Sequence, residues 1–277
     1  MSQLNANLIK RIGAVKAAYS QESLNQHIMV LLSGNVGSGK TTMACTGRRP
    51  ILLDTFDPGG EKSVQHLVKS GDVFVRDYSG DDISKPETFS RWEKDFEQDR
   101  ASGFHDIFGT YVIDSLTTFV PACMNAIMAA ARRKDTKRDP VIPQIQDYLR
   151  VATALTNVAT MLSRCKCDIV FTAHQVLDKD ESTGAVLSTL NVFKSLKAGF
   201  PVMFDEKWVM DCHGTGTSTK YNLLTASRGR YEASTRIGAN NVFKPVEEPN
   251  LRELLKKAGY PYEDLPRLDT YQPKQED

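Results

Sequence analysis

Gly34-Asn35-Val36-Gly37-Ser38-Gly39-Lys40-Thr41-Thr42 decides how the rest of this chain is read. It matches G-x-x-x-x-G-K-[ST] at every fixed position. The apolar run at residues 28–32 stands directly before it, and residues 41–45 read as the start of a helix. A buried strand, a glycine-rich loop and a helix, in that order, make a phosphate-binding loop. Each position has a physical task. The glycines let backbone N–H groups converge on phosphate oxygens with no Cβ in the way. The following helix turns its N-terminal donors toward the anion. Lys40 reaches the β- and γ-phosphates, the Thr41 hydroxyl joins a Mg²⁺ shell, and Thr42 helps hold the α-phosphate. Gly34, Asn35, Val36, Gly37, Ser38, Gly39, Lys40, Thr41 and Thr42 are therefore the expected cradle, with ATP and Mg²⁺ as ligands.

Outward from the loop, strand and helix patterns alternate. Residues 51–54 form a second apolar strand, closed by Asp57-Pro58-Gly59-Gly60. Residues 73–75 read as a third. Residues 86–100 read as an exposed helix around Trp92 and Phe96, and residues 111–113 as a strand running into Asp114-Ser115. A long helix is expected from 144 to about 164, then a strand at 168–172 and late strands at 207–212 and 221–226. This order predicts an α/β fold with a mostly parallel sheet covered by helices. Leu4, Leu8, Ile12, Val15 and Tyr19 recur at helical spacing, so residues 1–27 read as a helical segment packed on the body. Membrane-surface and subunit-contact roles are the other readings of that helix. Five of the 12 prolines fall in residues 245–277, which read as a tail around one helix at 251–257. The core is then residues 28–244.

Composition narrows the function classes. With 277 residues, 40% hydrophobic and 25% charged, the chain can bury a substantial core and is not disordered. Its 35 basic and 34 acidic side chains leave a formal charge of +1, so any basic surface is local. The short apolar run before the loop cannot span a membrane. The chain reads as soluble and cytoplasmic. Its five cysteines are an odd number without zinc spacing, which argues against a disulfide framework or a metal-thiolate site.

A phosphate-binding loop needs a carboxylate at the end of a neighbouring strand to orient Mg²⁺ and its waters. Asp114, after Tyr111-Val112-Ile113, fits that place; a helix cap is its plainer reading. Hydrolysis also needs a group that positions water. Asp54 and Asp57 both end the second strand, and Asp57, out on the loop, is the favoured base. Turn formation is the alternative for either acid.

These motifs, followed by Thr172-Ala173-His174-Gln175, resemble in order a RecA-like P-loop NTPase core. The likeness is strongest to the phage RecA-like ATPases of the Sak single-strand-annealing group, the phage nucleotide-binding proteins, over about residues 28–240. It implies an ATPase that binds single-stranded DNA and promotes annealing or strand exchange in recombination. A homo-oligomeric ring or filament with nucleotide at the subunit interface is implied too, with a single-stranded-DNA-binding protein as a further partner. In a phage the setting would be the host cytoplasm. Gln175, with His174 beside it, matches the γ-phosphate sensor. The loop after the Walker B strand and its short helix would bind DNA through Arg132, Arg133, Lys134, Lys137 and Arg138, five cations in seven residues. A second loop, about 176–199, would add Lys194 and Lys197, with Phe193 to stack on a base. Arg228 and Arg230, and less directly Arg236, match cations that reach a neighbouring subunit's nucleotide. Solvated surface positions are the alternative for these cations. Tyr78 and Tyr231 are candidate stackers for the nucleobase. Two departures stand out: the expected base is Asp57 rather than a glutamate, and the chain shows no extra DNA-binding domain. An NTP-driven switch acting on a protein, or a small-molecule kinase, is the competing reading of the same phosphate motifs.

Overall fold

The computed structural model describes residues 2–18, 26–179, 184–214, 216–239 and 241–268. In chain order the elements are α1 (Ser2–Ala18), β1 (Met29–Gly34), α2 (Lys40–Ala44), β2 (Ile51–Thr55), α3 (Gln65–Lys69), β3 (Val73–Asp77), α4 (Thr88–Ser102) and β4 (Thr110–Asp114). They continue as α5 (Leu116–Lys134), α6 (Ile145–Leu162), β5 (Asp168–Lys179), β6 (Val186–Leu190), α7 (Lys194–Gly199), β7 (Glu206–His213), β8 (Lys220–Leu224), β9 (Ser234–Thr235), β10 (Val246–Glu247) and α8 (Leu251–Lys257).

One sheet runs in the order β10-β8-β7-β1-β5-β4-β2-β3, with β6 added to β5 and β9 to β7. From β7 to β3 every neighbour is parallel. The antiparallel additions are β6, β8, β9 and β10. One strand, β5, separates the phosphate-loop strand β1 from the acid-bearing strand β4.

The near-continuous apolar strands follow from burial on both faces. Side chains alternate across a strand. Met29 and Leu31 of β1 join Leu52, Tyr111, Ile169 and Phe171 on one face, under α4, α5 and α6. Val30 and Leu32 join Leu53, Val112 and Val170 on the other, under α2 and α8. The tail helix α8 belongs to that second face, with Leu251, Leu254 and Leu255 at most 1% exposed. Each such leucine contributes about 1.5–3 kcal/mol.

Several sequence expectations change here. The helix at 88–102 is exposed on one side only, since Trp92 and Phe96 sit in the core and stack at 5.1 Å. The helix α1 forms, but its described side chains, 6–17, are all exposed, so that stretch does not pack on the body as expected. Leu4 and Tyr19 lie outside the described side chains. After the Walker B strand comes a 19-residue helix, α5, not a short one. Arg132, Arg133 and Lys134 are its last turn rather than a loop. The expected second loop is mostly a β5–β6 hairpin followed by α7, with residues 180–183 outside the described ones. Among the described residues the five cysteines are free, and no cluster of metal-ligating side chains stands out. None of their helices is long and apolar enough to cross a membrane.

Candidate functional site

The register Gly34↔Met210 presses the end of β1 against β7. A Cβ on Gly34 would lie 2.7 Å from the Met210 carbonyl oxygen, so this position admits only glycine. Gly39 sits at φ +85°, the left-handed region in which glycine is unstrained. The loop then feeds α2, and Lys40 turns back beneath it. Its Nζ donates to the carbonyls of Gly34 (3.2 Å) and Asn35 (2.9 Å) and stands 3.3 Å from His174 Nδ1. Burial holds the Lys40 ammonium below its ordinary pKa, against the pull of Asp114 and Asp57.

Asp114 ends β4 opposite this loop. The Thr41 hydroxyl donates to its Oδ2 at 2.9 Å, and Thr172 of β5 donates to its Oδ1. Burial raises the carboxyl pKa, and the nearby charge of Asp57 adds to that. A divalent cation between Thr41 and Asp114 would relieve both. The hard oxygen donors fit Mg²⁺. These are the residues expected to hold it.

Asp57 reaches the same cavity because its loop is tied to β4: the Phe56 and Asp57 amides donate to the Asp114 carbonyl at 2.5 and 3.3 Å. Its Oδ1 accepts from Ser115 Oγ (2.9 Å) and Thr118 Oγ1 (2.5 Å), and its Oδ2 lies 3.2 Å from His174 Nε2. Burial pushes the Asp57 carboxyl up, but the bonds from His174, Thr118 and Ser115 outweigh it and hold the group below its usual range. It is thus an oriented, ionised acceptor, the state a water-positioning base needs. Asp54 is elsewhere. It is fully buried, bonded by Arg76 at 2.7 and 2.8 Å and by Tyr111 and Trp92. Of the two acids, Asp57 lines the cavity and Asp54 does not.

The sensor position changes. Gln175 turns away from the cavity: its Nε2 donates to Ser33 Oγ at 3.0 Å, and its Oε1 accepts from Ser188 Oγ at 3.0 Å. His174 occupies the site instead, between Lys40 and Asp57. Val36, Gly37, Gly39, Lys40, Thr41, Thr42, Asp57, Asp114, Thr118, His174 and Tyr221 line one cavity of about 640 Å³. Alternation along β5 carries the signal that sequence reasoning passed over. Thr172 and His174 share one face, so Gln175 faces the other. Ser115 and Thr118 lie three apart on the first turn of α5. Tyr221 had no local signal, because the β7–β8 register alone brings it here.

The remaining cations do not line this cavity. Arg228 and Arg230 flank Gly229 on an exposed turn, and Arg230 lies over the Tyr231 ring at 5.1 Å. Arg236 pairs with Asp205 at 3.6 Å. Arg132, Arg133, Lys134 and Lys137 are exposed, and Lys194 begins α7. Arg138 is not available to a phosphate, because its nearly buried guanidinium is spent on Asp147. Lys197 pairs with Asp178 at 2.9 Å. Phe193 packs edge-on against Tyr148 at 5.2 Å rather than standing free. Tyr78 is 3% exposed and cannot receive a base.

The family described as AAA domain (AAA_24) matches residues 26–237. The chain belongs to that family. The match spans the phosphate loop, Asp57, Asp114 and β5, so the AAA domain assignment and the site geometry meet on the same residues. This AAA domain is thus a P-loop ATPase. Among solved structures, it is similar to the KaiC-like protein PH0186 from the hyperthermophilic archaeon Pyrococcus horikoshii OT3. That likeness has 14% identity, covers 71% of this chain and 77% of that one, and has a TM-score of 0.38. A search of curated proteins finds no match.

Proposed function

We propose that this ATPase binds single-stranded DNA and promotes annealing or strand exchange, as the likeness to the phage Sak group implies. The observation that carries the reading is the path of β5. Within the site it presents Thr172 and His174. It then leaves the body and pairs with β6 through Gln175↔Leu190 to Lys179↔Val186. The end of β6 leads through Phe193 to the exposed Lys194. Phe193 packs on Tyr148 of α6, and Asp147, its neighbour, holds Arg138 of the basic turn. The two cation-bearing regions therefore meet at the first turn of α6. Arg132 and Arg133 also line a hollow of about 410 Å³ beside residues 83–87. Arg228 and Arg230, exposed on their turn, would then reach the nucleotide of a second copy in a ring or filament, as the resemblance implies. Mg²⁺ held by Thr41 and Asp114 would neutralise phosphate charge; Lys40 binds the phosphates, and Asp57 orients the attacking water.

A protein-directed switch is the second reading. It is favoured by Ile142, Ile145 and Leu149, which are 67%, 89% and 69% exposed beside the same turn.

The test is ATP hydrolysis with and without single-stranded DNA, beside Lys40→Ala, together with DNA binding across a salt series. DNA-stimulated hydrolysis, lost in Lys40→Ala, is expected. Four phosphate contacts would give a slope of about −3 in log K against log salt. Hydrolysis indifferent to DNA, in a protein that also fails to bind it, overturns this reading and favours the switch.

A further inference from the structure

The phosphate cavity has an annex. Gly39, Thr42, Met43, Met210, Tyr221 and Pro249 line a second hollow of about 220 Å³. The two share Gly39, Thr42 and Tyr221, whereas Asp57, Asp114 and His174 line only the larger one. That division orients a nucleotide. In a phosphate loop the lysine takes the β- and γ-phosphates and the backbone cradles α and β. The γ end then lies toward Asp57 and His174, and the nucleoside leaves past Thr42, into the annex.

We propose that the annex seats the nucleobase by stacking alone and does not distinguish adenine from guanine. This rests on the nucleotide-site reading and deepens it. Met43 and Met210 are buried to 2% exposure and form an apolar floor. Tyr221 is 45% exposed and lies against Gly39, where an added Cβ would meet its ring carbon at 3.2 Å. Its place is fixed by pairing with Cys212 on β7, one strand from the loop. Pro249 closes the far side just ahead of α8, which is anchored to the turn after the phosphate-loop helix by the Leu251 amide on Thr46 Oγ1 (2.8 Å). Proline has no N–H to offer a base edge. Of the lining side chains only Thr42 and Tyr221 carry a polar atom, and Thr42 belongs to the α-phosphate. Telling adenine from guanine needs donors and acceptors matched to the base edge. A ring face and two thioethers supply stacking, which every base accepts and purines accept best.

Equilibrium binding of ADP, GDP, CDP and inorganic pyrophosphate, with Mg²⁺, tests this in wild type, Tyr221→Ala, Tyr221→Phe and Lys40→Ala. ADP and GDP are expected within about threefold of each other, with CDP weaker. Tyr221→Ala is expected to weaken ADP and GDP about tenfold and leave pyrophosphate unchanged, while Tyr221→Phe binds like wild type. GDP binding thirtyfold weaker than ADP overturns base indifference. ADP binding unaltered by Tyr221→Ala overturns the seat itself. ADP and pyrophosphate binding unaltered by Lys40→Ala overturns instead the nucleotide-site reading beneath it.

Discussion

Replacing His174 and Gln175 one at a time separates two adjacent residues that the fold sends to opposite faces of β5. His174 stands 3.2 Å from Asp57 and 3.3 Å from Lys40. Removing its ring leaves the Asp57 carboxylate with Ser115 and Thr118, so the acid stays in place but loses one of three anchors. A hydrogen bond to a charged group is worth about 1.5–3 kcal/mol. The two side chains are 23% and 22% exposed, so water screens the contact and the lower figure applies. About 1.4 kcal/mol is tenfold in rate. His174→Ala is therefore expected to lower kcat for ATP about tenfold, with KM changed less than about threefold. Gln175→Ala removes two neutral bonds, to Ser33 and Ser188, far from the acid. It should cost about 2 kcal/mol of stability and leave kcat within about threefold. Steady-state phosphate release and urea unfolding of both variants decide the matter. A Gln175→Ala enzyme that melts normally but is inactive, beside a normal His174→Ala, would refute the assignment.

Three further outcomes follow from burial and pairing. Arg138→Ala leaves buried Asp147 with the Gln144 amide and the longer contact to Arg150 and should destabilise by about 1–3 kcal/mol in urea, whereas exposed Lys137→Ala should change stability by less than about 0.5 kcal/mol. Leu254→Ala should cost about 2–5 kcal/mol in the same measurement, because α8 is core. Burial holds His105 at about 4, below its ordinary 6.5, with Arg76 helping and Asp99 opposing. Between those values the unfolded chain takes up a proton that the folded chain refuses. Stability is full above pH 6.5 and falls toward pH 4, by about 2 kcal/mol at pH 5. His105→Phe, set among Phe96, Phe104 and Tyr111, should flatten that difference in urea titrations at pH 7.5 and 5.

What was legible from the sequence is what local chemistry dictates. The phosphate loop is contiguous and each of its positions is chemically constrained, so Lys40 and Thr41 could be read directly. Asp114 followed from an apolar strand running into an acid. Trp92 looked exposed because its helix is rich in charge, yet a polar helix needs only one apolar face to be anchored. Arg138 looked like its neighbours because a buried ion pair leaves no mark on a charge run; Asp147 lies nine residues away on another element. Tyr221 depends on strand register across a sheet, which no local pattern encodes.

The position of β5 explains why the site assembles around it. A strand between the phosphate-loop strand and the acid-bearing strand touches both. Thr172 bonds Asp114, His174 links the lysine to Asp57, and Gln175 ties β5 back to Ser33 of β1. Three polar positions within four residues thus fasten one strand to Asp114, to Lys40 and Asp57, and to β1. Lys40 cannot serve a phosphate and keep all of its contacts to Gly34, Asn35 and His174. The contact to His174 lies at the end of the buried part of β5. Beyond that point the strand is exposed and bonded chiefly to β6, and the Asn191 amide on the His174 carbonyl at 2.9 Å joins the two at their base. The β5–β6 hairpin thus starts at the residue that touches both Lys40 and Asp57, so the cavity and the strand pair that leads toward Lys194 share His174 as their common point.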